Sequence, residues 1–389
     1  MHDIGVDPYG IKIMLPKAAV YLVHLSAVSN VVANILKQEM LSLGGDVAVA
    51  RGALTGAIKN TDCLIMGTLS QIIRLLEKLQ KQPFGLSALG NDLSRKIENY
   101  RRDNFVLSLG AYKLNLTRRT HIMGIVNLTD DSFSGDGLLK STDCGLRSTV
   151  YDVVAQMIND GADIIDVGGQ SSRPGAKTIT SKEEIKRTAP IIKKLAKKIK
   201  KPISIDTYKP DVAKAALDNG ALIINDITGL RNPKMAKIAA KYKAGVVIMH
   251  MLKTPRTMQK NPRYNILIKD IINYLNQAIV TALNAGVAQE KIIIDPGIGF
   301  GKTFEHNLEI LNKLSELKVL GQPILVGLSR KSFIGKIIDK APQERLAGTI
   351  SACVLAAHNG AKILRVHDVK QIKEALKVFD ALKQNEHNS

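Results

Sequence analysis

The chain has 389 residues, 45% of them hydrophobic, and 55 Lys and Arg against 35 Asp and Glu, a net charge of +20. That length suits two domains, or one large domain with an appendage, and no run of about eighteen apolar residues reads as a membrane span. The charge suits nucleic acid or a small anionic substrate, but Trp is absent and aromatics are only 4%, which argues against a base-stacking platform and hence against nucleic acid as a partner.

The opening MHDIGVDPYG has no basic region followed by an apolar run, so no signal peptide is expected. Cys63, Cys144 and Cys353 are far apart and match neither a disulfide framework nor zinc-ligand spacing. A reducing cytoplasm and no membrane partner are the expectation.

In chain order, the first segment shows a strand-like run KAAVYLVHLS, a helix NVVANILKQEMLSLGG, then DVAVARGAL, DCLIMGTL and the helical SQIIRLLEKLQKQ. This predicts a small α/β or α+β domain over residues 1–116, with RKIENYRRDNFVL as a helical linker and no catalytic constellation. From residue 117 to 389 the pattern changes. Eight apolar, β-branched runs each end in polar residues or glycine and alternate with amphipathic helices: THIMGIVN, GADIIDVGG, KPISIDT, ALIINDI, AGVVIMHM, KIIIDPG, PILVGLSR and AKILRVHD. Continuous apolar strands alternating with helices imply a parallel sheet covered by helices. Eight such units fit a (β/α)8 TIM barrel. An open doubly wound sheet is the competing architecture, and the absence of a G-x-G-x-x-G opening counts against it.

The polar residues fall at the run ends, which a barrel gathers at one mouth. Asp206, Asn225 and Asp295 form a set of acceptors suited to a planar, nitrogen-rich heterocycle with an N–H edge. Lys331 and Arg365 can cover its carbonyl side or its face. Arg173, Arg365 and His367 form a cationic set for a phosphate or diphosphate. Asn127 offers a side-chain oxygen that Mg²⁺ can share with substrate phosphates, or it serves as a turn residue. The stretch DPGIGFGKT (295–303) ends like a P-loop, but Pro296 occupies the position of its first glycine. Proline has no N–H for a phosphate and no access to positive φ. A Gly-rich turn after a strand is the better reading.

These motifs, in this order, resemble the dihydropteroate synthase family of pterin-binding barrels across roughly residues 117–385. The family's Asn-x-Thr-Pro-Asp-Ser-Phe-Ser is matched by N127-L-T-D-D-S-F-S134, and its Gly-Gly-Glu-Ser-Thr/Ser-Arg-Pro-Gly by G168-G-Q-S-S-R-P-G175. SIDT with Asp206 (204–207), IINDI with Asn225, DPGIGFGKT, the Ser-Arg-Lys-Ser of 329–332 and RVHD of 365–368 follow in strand order. Asp130 stands where the family has proline, and Gln170 where it has glutamate.

The resemblance implies condensation of 6-hydroxymethyl-7,8-dihydropterin diphosphate with 4-aminobenzoate, giving 7,8-dihydropteroate and pyrophosphate. It implies Asp206, Lys331, Arg365 and His367 as catalytic, and Asp206, Asn225, Asp295, Lys331 and Arg365 on the pterin. It puts Asn127, Arg173, Arg365 and His367 on the pyrophosphate, with Asn127 on Mg²⁺. Ser171, Ser172, Pro174, Phe300 and Ser332 would shape the aminobenzoate pocket, in a homodimer. The rival within the same barrel class is a methyltransferase moving a methyl group from a folate to a corrinoid. It has no need of the Asn127 loop, the SSRPG loop or Lys331.

Overall fold

The structure, a computed structural model, describes residues 1–128, 145–171 and 178–388. Arg173, Pro174, Ser172 and Asp130 lie outside the described residues. The chain forms two compact units, Met1–Glu98 and Asn99–Asn388.

In the first unit, strands β1 (Val20–Ser29), β2 (Asp46–Val49) and β3 (Asn60–Thr68) form a sheet in the order β1-β3-β2. Both pairs are antiparallel, which makes the unit α+β. Helices Asn30–Ser42 and Leu69–Leu79 supply the apolar stripe, with Leu36, Met40, Ile72, Leu75 and Leu79 fully buried beside Ile65 of β3. Thr68 and Gln71 close a capping box at the start of the second helix: the Gln71 N–H donates to Thr68 Oγ1 at 3.3 Å, and the Thr68 N–H to Gln71 Oε1 at 2.7 Å. A further helix, Pro8–Ala18, buries none of its residues, so no apolar periodicity announces it.

The expected helical linker is only partly present. The helix Leu86–Arg101 ends before Leu107, and β4 (Val106–Leu109) and β5 (Tyr112–Asn115) form a hairpin instead. Strands this short have little alternation to read in sequence. The hairpin puts Leu107 and Leu109, with the following Leu116, against the barrel interior.

Eight parallel strands close the barrel: β6 (His121–Asn127), β7 (Ile164–Gly168), β8 (Ile203–Asp206), β9 (Ile223–Asp226), β10 (Gly245–Met249), β11 (Ile292–Asp295), β12 (Ile324–Gly327) and β13 (Ala361–Val366). The eight expected runs are these eight strands. Side chains alternate along a strand, so residues two apart share a face. Met123, Ile164, Ile223, Val247, Ile293, Leu325 and Ile363 form the apolar layer that packs on the hairpin. Two residues further along each of those strands come Ile125, Asp166, Asn225, Met249, Asp295, Gly327 and Arg365. The same parity that fills the bottom of the barrel with hydrocarbon therefore aims this polar set inward nearer the mouth. Opposite-parity residues such as Ile165, Val167, Ile205, Ile224, Val246 and Ile294 pack outward against the helices.

Candidate active site

Arg365 is the centre of the inward polar set. Its Nε donates to Asp166 Oδ2 at 2.6 Å, and its Nη2 to Asp206 Oδ2 at 2.6 Å. Asn225 Nδ2 donates to the same Asp166 oxygen at 3.1 Å. Neighbouring strands pair Gly168 with Asp206 and Asp206 with Asn225, so the cluster follows from barrel register. Asp166 is completely buried and was not singled out from the sequence. It lies two residues after Ile164 of the inward layer and two before Gly168, which ends the strand, so the inward face of β7 carries it.

One guanidinium balances two carboxylates here, so the pair carries a surplus negative charge in a low-dielectric interior. Burial pushes Asp206 up to about 7, with Asp166 adding to the rise and Arg365 opposing it. Burial also pushes Asp295 up to about 6, against the pull of the Gly297 N–H, Lys331, Lys302 and Arg365. The Gly297 N–H donates to Asp295 Oδ1 at 2.7 Å. Asp206, Asn225, Asp295, Lys331 and Arg365 line one cavity together with Phe300, and Ile227, Met249, Ile298 and the two glycines 297 and 327 complete its wall. Gly327 gives the opening a wall without a side chain.

The DPGIGFGKT turn is held from several sides. Gly297, Gly299 and Gly301 all have positive φ, at 69°, 81° and 64°. A Cβ on Gly297 would lie 2.0 Å from the His250 carbonyl oxygen, so glycine is required there. Gln259 donates to the Gly299 carbonyl at 2.6 Å, Tyr264 to that of Gly301 at 2.7 Å, and Lys302 Nζ to that of Phe300 at 3.1 Å. Phe300 is thereby fixed, with the Lys331 ammonium 4.5 Å from its ring centroid. Lys302 is not a phosphate ligand. It is buried, its Nζ lies 2.9 Å from His250 Nδ1, and burial holds its ammonium down to about 7.

Lys331 precedes the helix Ser332–Ile338. Arg330, at φ 59°, anchors this turn by donating to Asp368 from Nε at 3.2 Å and from Nη2 at 2.7 Å. Beside it, His367 Nδ1 lies 3.0 Å from Ser329 Oγ. Ser332 is exposed at the first turn of that helix and, like the half-buried Ser171, is not part of the cavity wall. Asp226 is a turn residue, accepting from the Thr228 N–H at 2.8 Å and the Leu230 N–H at 3.0 Å.

Asn127 ends β6, and the missing Cβ of Gly168 would sit 3.6 Å from both Asn127 Oδ1 and Asp206 Cβ. Among the described residues no group of three or more His, Cys, Asp or Glu is placed to hold a metal ion.

Gln170 sits in a network at the base of the second loop. Its Nε2 donates to Tyr208 Oη at 3.0 Å, while its Oε1 accepts from the Ile179 N–H at 3.2 Å and from Lys209 Nζ at 2.7 Å. Lys209 is also paired with buried Glu184 at 2.6 Å. A neutral residue at 170 leaves that ion pair balanced. Gln170→Glu retains the two accepting contacts, and the Tyr208 hydroxyl can turn to donate. The second carboxylate beside Lys209 then competes with buried Glu184 for one cation, so we expect thermal stability to fall by about 1–3 kcal/mol, measured by calorimetric melting.

Residues 123–367 match the family described as pterin binding enzyme. The chain is 45% identical over 278 residues to a dihydropteroate synthase of Synechocystis, an alignment spanning 71% of this chain and 94% of that protein. It is 39% identical over 387 residues to a probable bifunctional folylpolyglutamate synthase/dihydropteroate synthase of Halobacterium salinarum, spanning 97% of this chain but 44% of that protein. A Xanthomonas albilineans dihydropteroate synthase structure with 4-aminobenzoic acid superposes with a TM-score of 0.66 at 38% identity, over 72% of this chain and 98% of that one.

Proposed function

Because the chain belongs to the dihydropteroate synthases of the pterin-binding enzyme family, we propose that its barrel mouth holds the pterin against Asp206, Asn225 and Asp295 and its leaving group against Arg365 and His367. The reaction is the condensation of 6-hydroxymethyl-7,8-dihydropterin diphosphate with 4-aminobenzoate to 7,8-dihydropteroate and pyrophosphate, an alkyl transfer in folate biosynthesis. The observation that carries the site reading is the shared cavity. Three acceptors, a lysine and a doubly paired arginine surround one small opening.

In this reading the ionised carboxylates accept from the N–H edge of the pterin, and Lys331 donates to its carbonyl side. The bond between the exocyclic CH₂ and the diphosphate oxygen breaks first, its electron pair leaving with the pyrophosphate. The electron-rich ring stabilises the resulting cation. The amine nitrogen of 4-aminobenzoate then supplies the lone pair of the new C–N bond and loses a proton to solvent. Arg365 and His367, with Arg173 from the second loop, offset the charge that builds on the leaving group. Phe300 bounds the arylamine from the cavity wall, and Ser171, Ser172, Pro174 and Ser332 would meet it outside that wall. Asn127, with the substrate's own phosphates, would hold Mg²⁺, which supplies further neutralisation of the pyrophosphate. We also infer a cytoplasmic homodimer. The buried free thiols Cys63 and Cys353 are consistent with a reducing compartment, and among the described residues no helix is long and apolar enough to cross a membrane.

The test is the pH profile. An ionised carboxylate accepts through both oxygens and makes the stronger, charge-assisted bond to an N–H edge, whereas a protonated one turns an O–H donor toward it. The kcat/KM for the pterin diphosphate should therefore rise with pH through an apparent midpoint between about 6 and 7, the values to which Asp295 and Asp206 are pushed. The midpoint belongs to the coupled set. Stability runs the other way: these groups favour the folded state below the unfolded carboxylate pKa, and that contribution is lost as pH rises through about 6 to 7. A flat profile from pH 5 to 8 would remove the carboxylates from pterin recognition.

A further inference from the structure

We propose that a second pocket, at the amino-terminal rim of the barrel and opposite the catalytic mouth, binds a phosphate-class anion. The pocket lies where β6 and β13 begin, bounded by residues 117–120, the turn 357–362, Lys318 and the carboxy-terminal helix at Asp380 and Lys383. Five cations line it, Arg118, Arg119, Lys318, Lys362 and Lys383, against two acids, Asp103 and Asp380.

Two of these cations are already committed. Arg119 grips Asp163 from both guanidinium nitrogens, at 2.8 and 2.6 Å, and Lys362 is paired with Asp103. Arg118, Lys318 and Lys383 remain, and Asp380 is the only lining acid outside those pairs. Burial pushes Asp380 upward, against the pull of Lys373, Arg119 and Lys383, so one carboxylate faces several cations at this rim. Lys318 is the least solvated of the three. Its ammonium lies 5.1 Å from the Tyr100 ring centroid. The Gly360 backbone, at φ 104°, closes on its stem, and a Cβ there would lie 3.4 Å from Lys318 Cδ. Burial, with Lys362 and Lys383 nearby, holds its ammonium down, against the opposing pull of Asp103. A multiply charged anion in the pocket relieves that cost and bridges cations from separate elements.

The cavity is about 120 Å³, well below the roughly 300–1,000 Å³ of sites that enclose a whole organic ligand. It therefore suits inorganic phosphate or diphosphate, or the phosphate end of a solute whose remainder stays outside. Nothing in the catalytic reading depends on it.

Titration of the full chain with inorganic diphosphate, followed calorimetrically at low salt, tests the proposal. Wild type should bind one more equivalent than the double variant Lys318→Glu, Lys383→Glu, with steady-state kcat/KM within about twofold of wild type because neither residue lines the mouth. Retained activity also shows that the variant is folded. The milder Lys318→Met should weaken that equivalent about tenfold if the double variant proves unstable. Parallel titrations with inorganic phosphate and ATP separate the sources. Preference for ATP assigns the site to the phosphate end of a larger solute, and preference for diphosphate to the free anion. Equal stoichiometry and affinity in wild type and variants would overturn the proposal.

Discussion

Arg365→Ala is expected to lower dihydropteroate formation by at least about a thousandfold and to destabilise the barrel by about 3–5 kcal/mol. Both effects come from one geometry. The guanidinium donates to Asp166 and Asp206 at 2.6 Å each, and its side chain is 19% exposed. Removing one partner of a buried ion pair leaves an uncompensated charge, which typically costs about 3–5 kcal/mol. Here two carboxylates lose their partner. Asp206, already pushed up by burial and held down by Arg365, would take up a proton more readily, and its bond to the pterin N–H edge would lose its charge assistance. The leaving group loses its donor at the same time, and one such donor is commonly worth about 10² to 10³ in kcat. Arg365→Lys keeps the charge but loses the fork that reaches two carboxylates, so it should recover stability more fully than activity. Initial rates and calorimetric melting of the two variants together check this. Wild-type stability in Arg365→Ala would show that the bridge does not hold the cluster.

Asp295→Asn should behave oppositely. We expect kcat/KM for the pterin diphosphate to fall at least about a hundredfold, with a melting temperature equal to or above that of wild type. The amide retains the oxygen that accepts from the Gly297 N–H at 2.7 Å, so the turn carrying Phe300 keeps its shape. It also removes the cost of burying a carboxylate, the cause that pushes Asp295 up to about 6. It places an N–H₂ where the pterin presents its own donors. A charge-assisted hydrogen bond is worth about 1.5–3 kcal/mol, and facing two donors adds a desolvation penalty. Reduced activity accompanied by a lower melting temperature would instead assign Asp295 to the architecture.

The contrast between these two acids also shows what could be read in advance. Asp295 and Asp206 end their strands, and the polar ends of eight apolar runs were enough to place them at one mouth. Asp166 does not end its strand. It is reached only by counting inward parity from the buried layer, which requires knowing which face of β7 packs on the hairpin. The hairpin is itself two four-residue strands with too few residues to show a period. Lys302 has no visible part in the sequence once Pro296 rules out a P-loop. Its role, bonding the Phe300 carbonyl and His250, depends on a contact between residues 52 positions apart. Ser332 shows the reverse case: its motif is intact, yet it stands exposed at a helix start.

The most direct measurement is product formation by the purified full chain supplied with 6-hydroxymethyl-7,8-dihydropterin diphosphate, 4-aminobenzoate and Mg²⁺, with pyrophosphate and dihydropteroate quantified together. The barrel-mouth site predicts the two products in a one-to-one ratio from wild type, and initial rates of both lowered at least about a hundredfold in folded Asp295→Asn at the same enzyme concentration and subsaturating pterin diphosphate. Equal yields from wild type and variant would contradict the assignment of the barrel mouth as the place where the pterin is held.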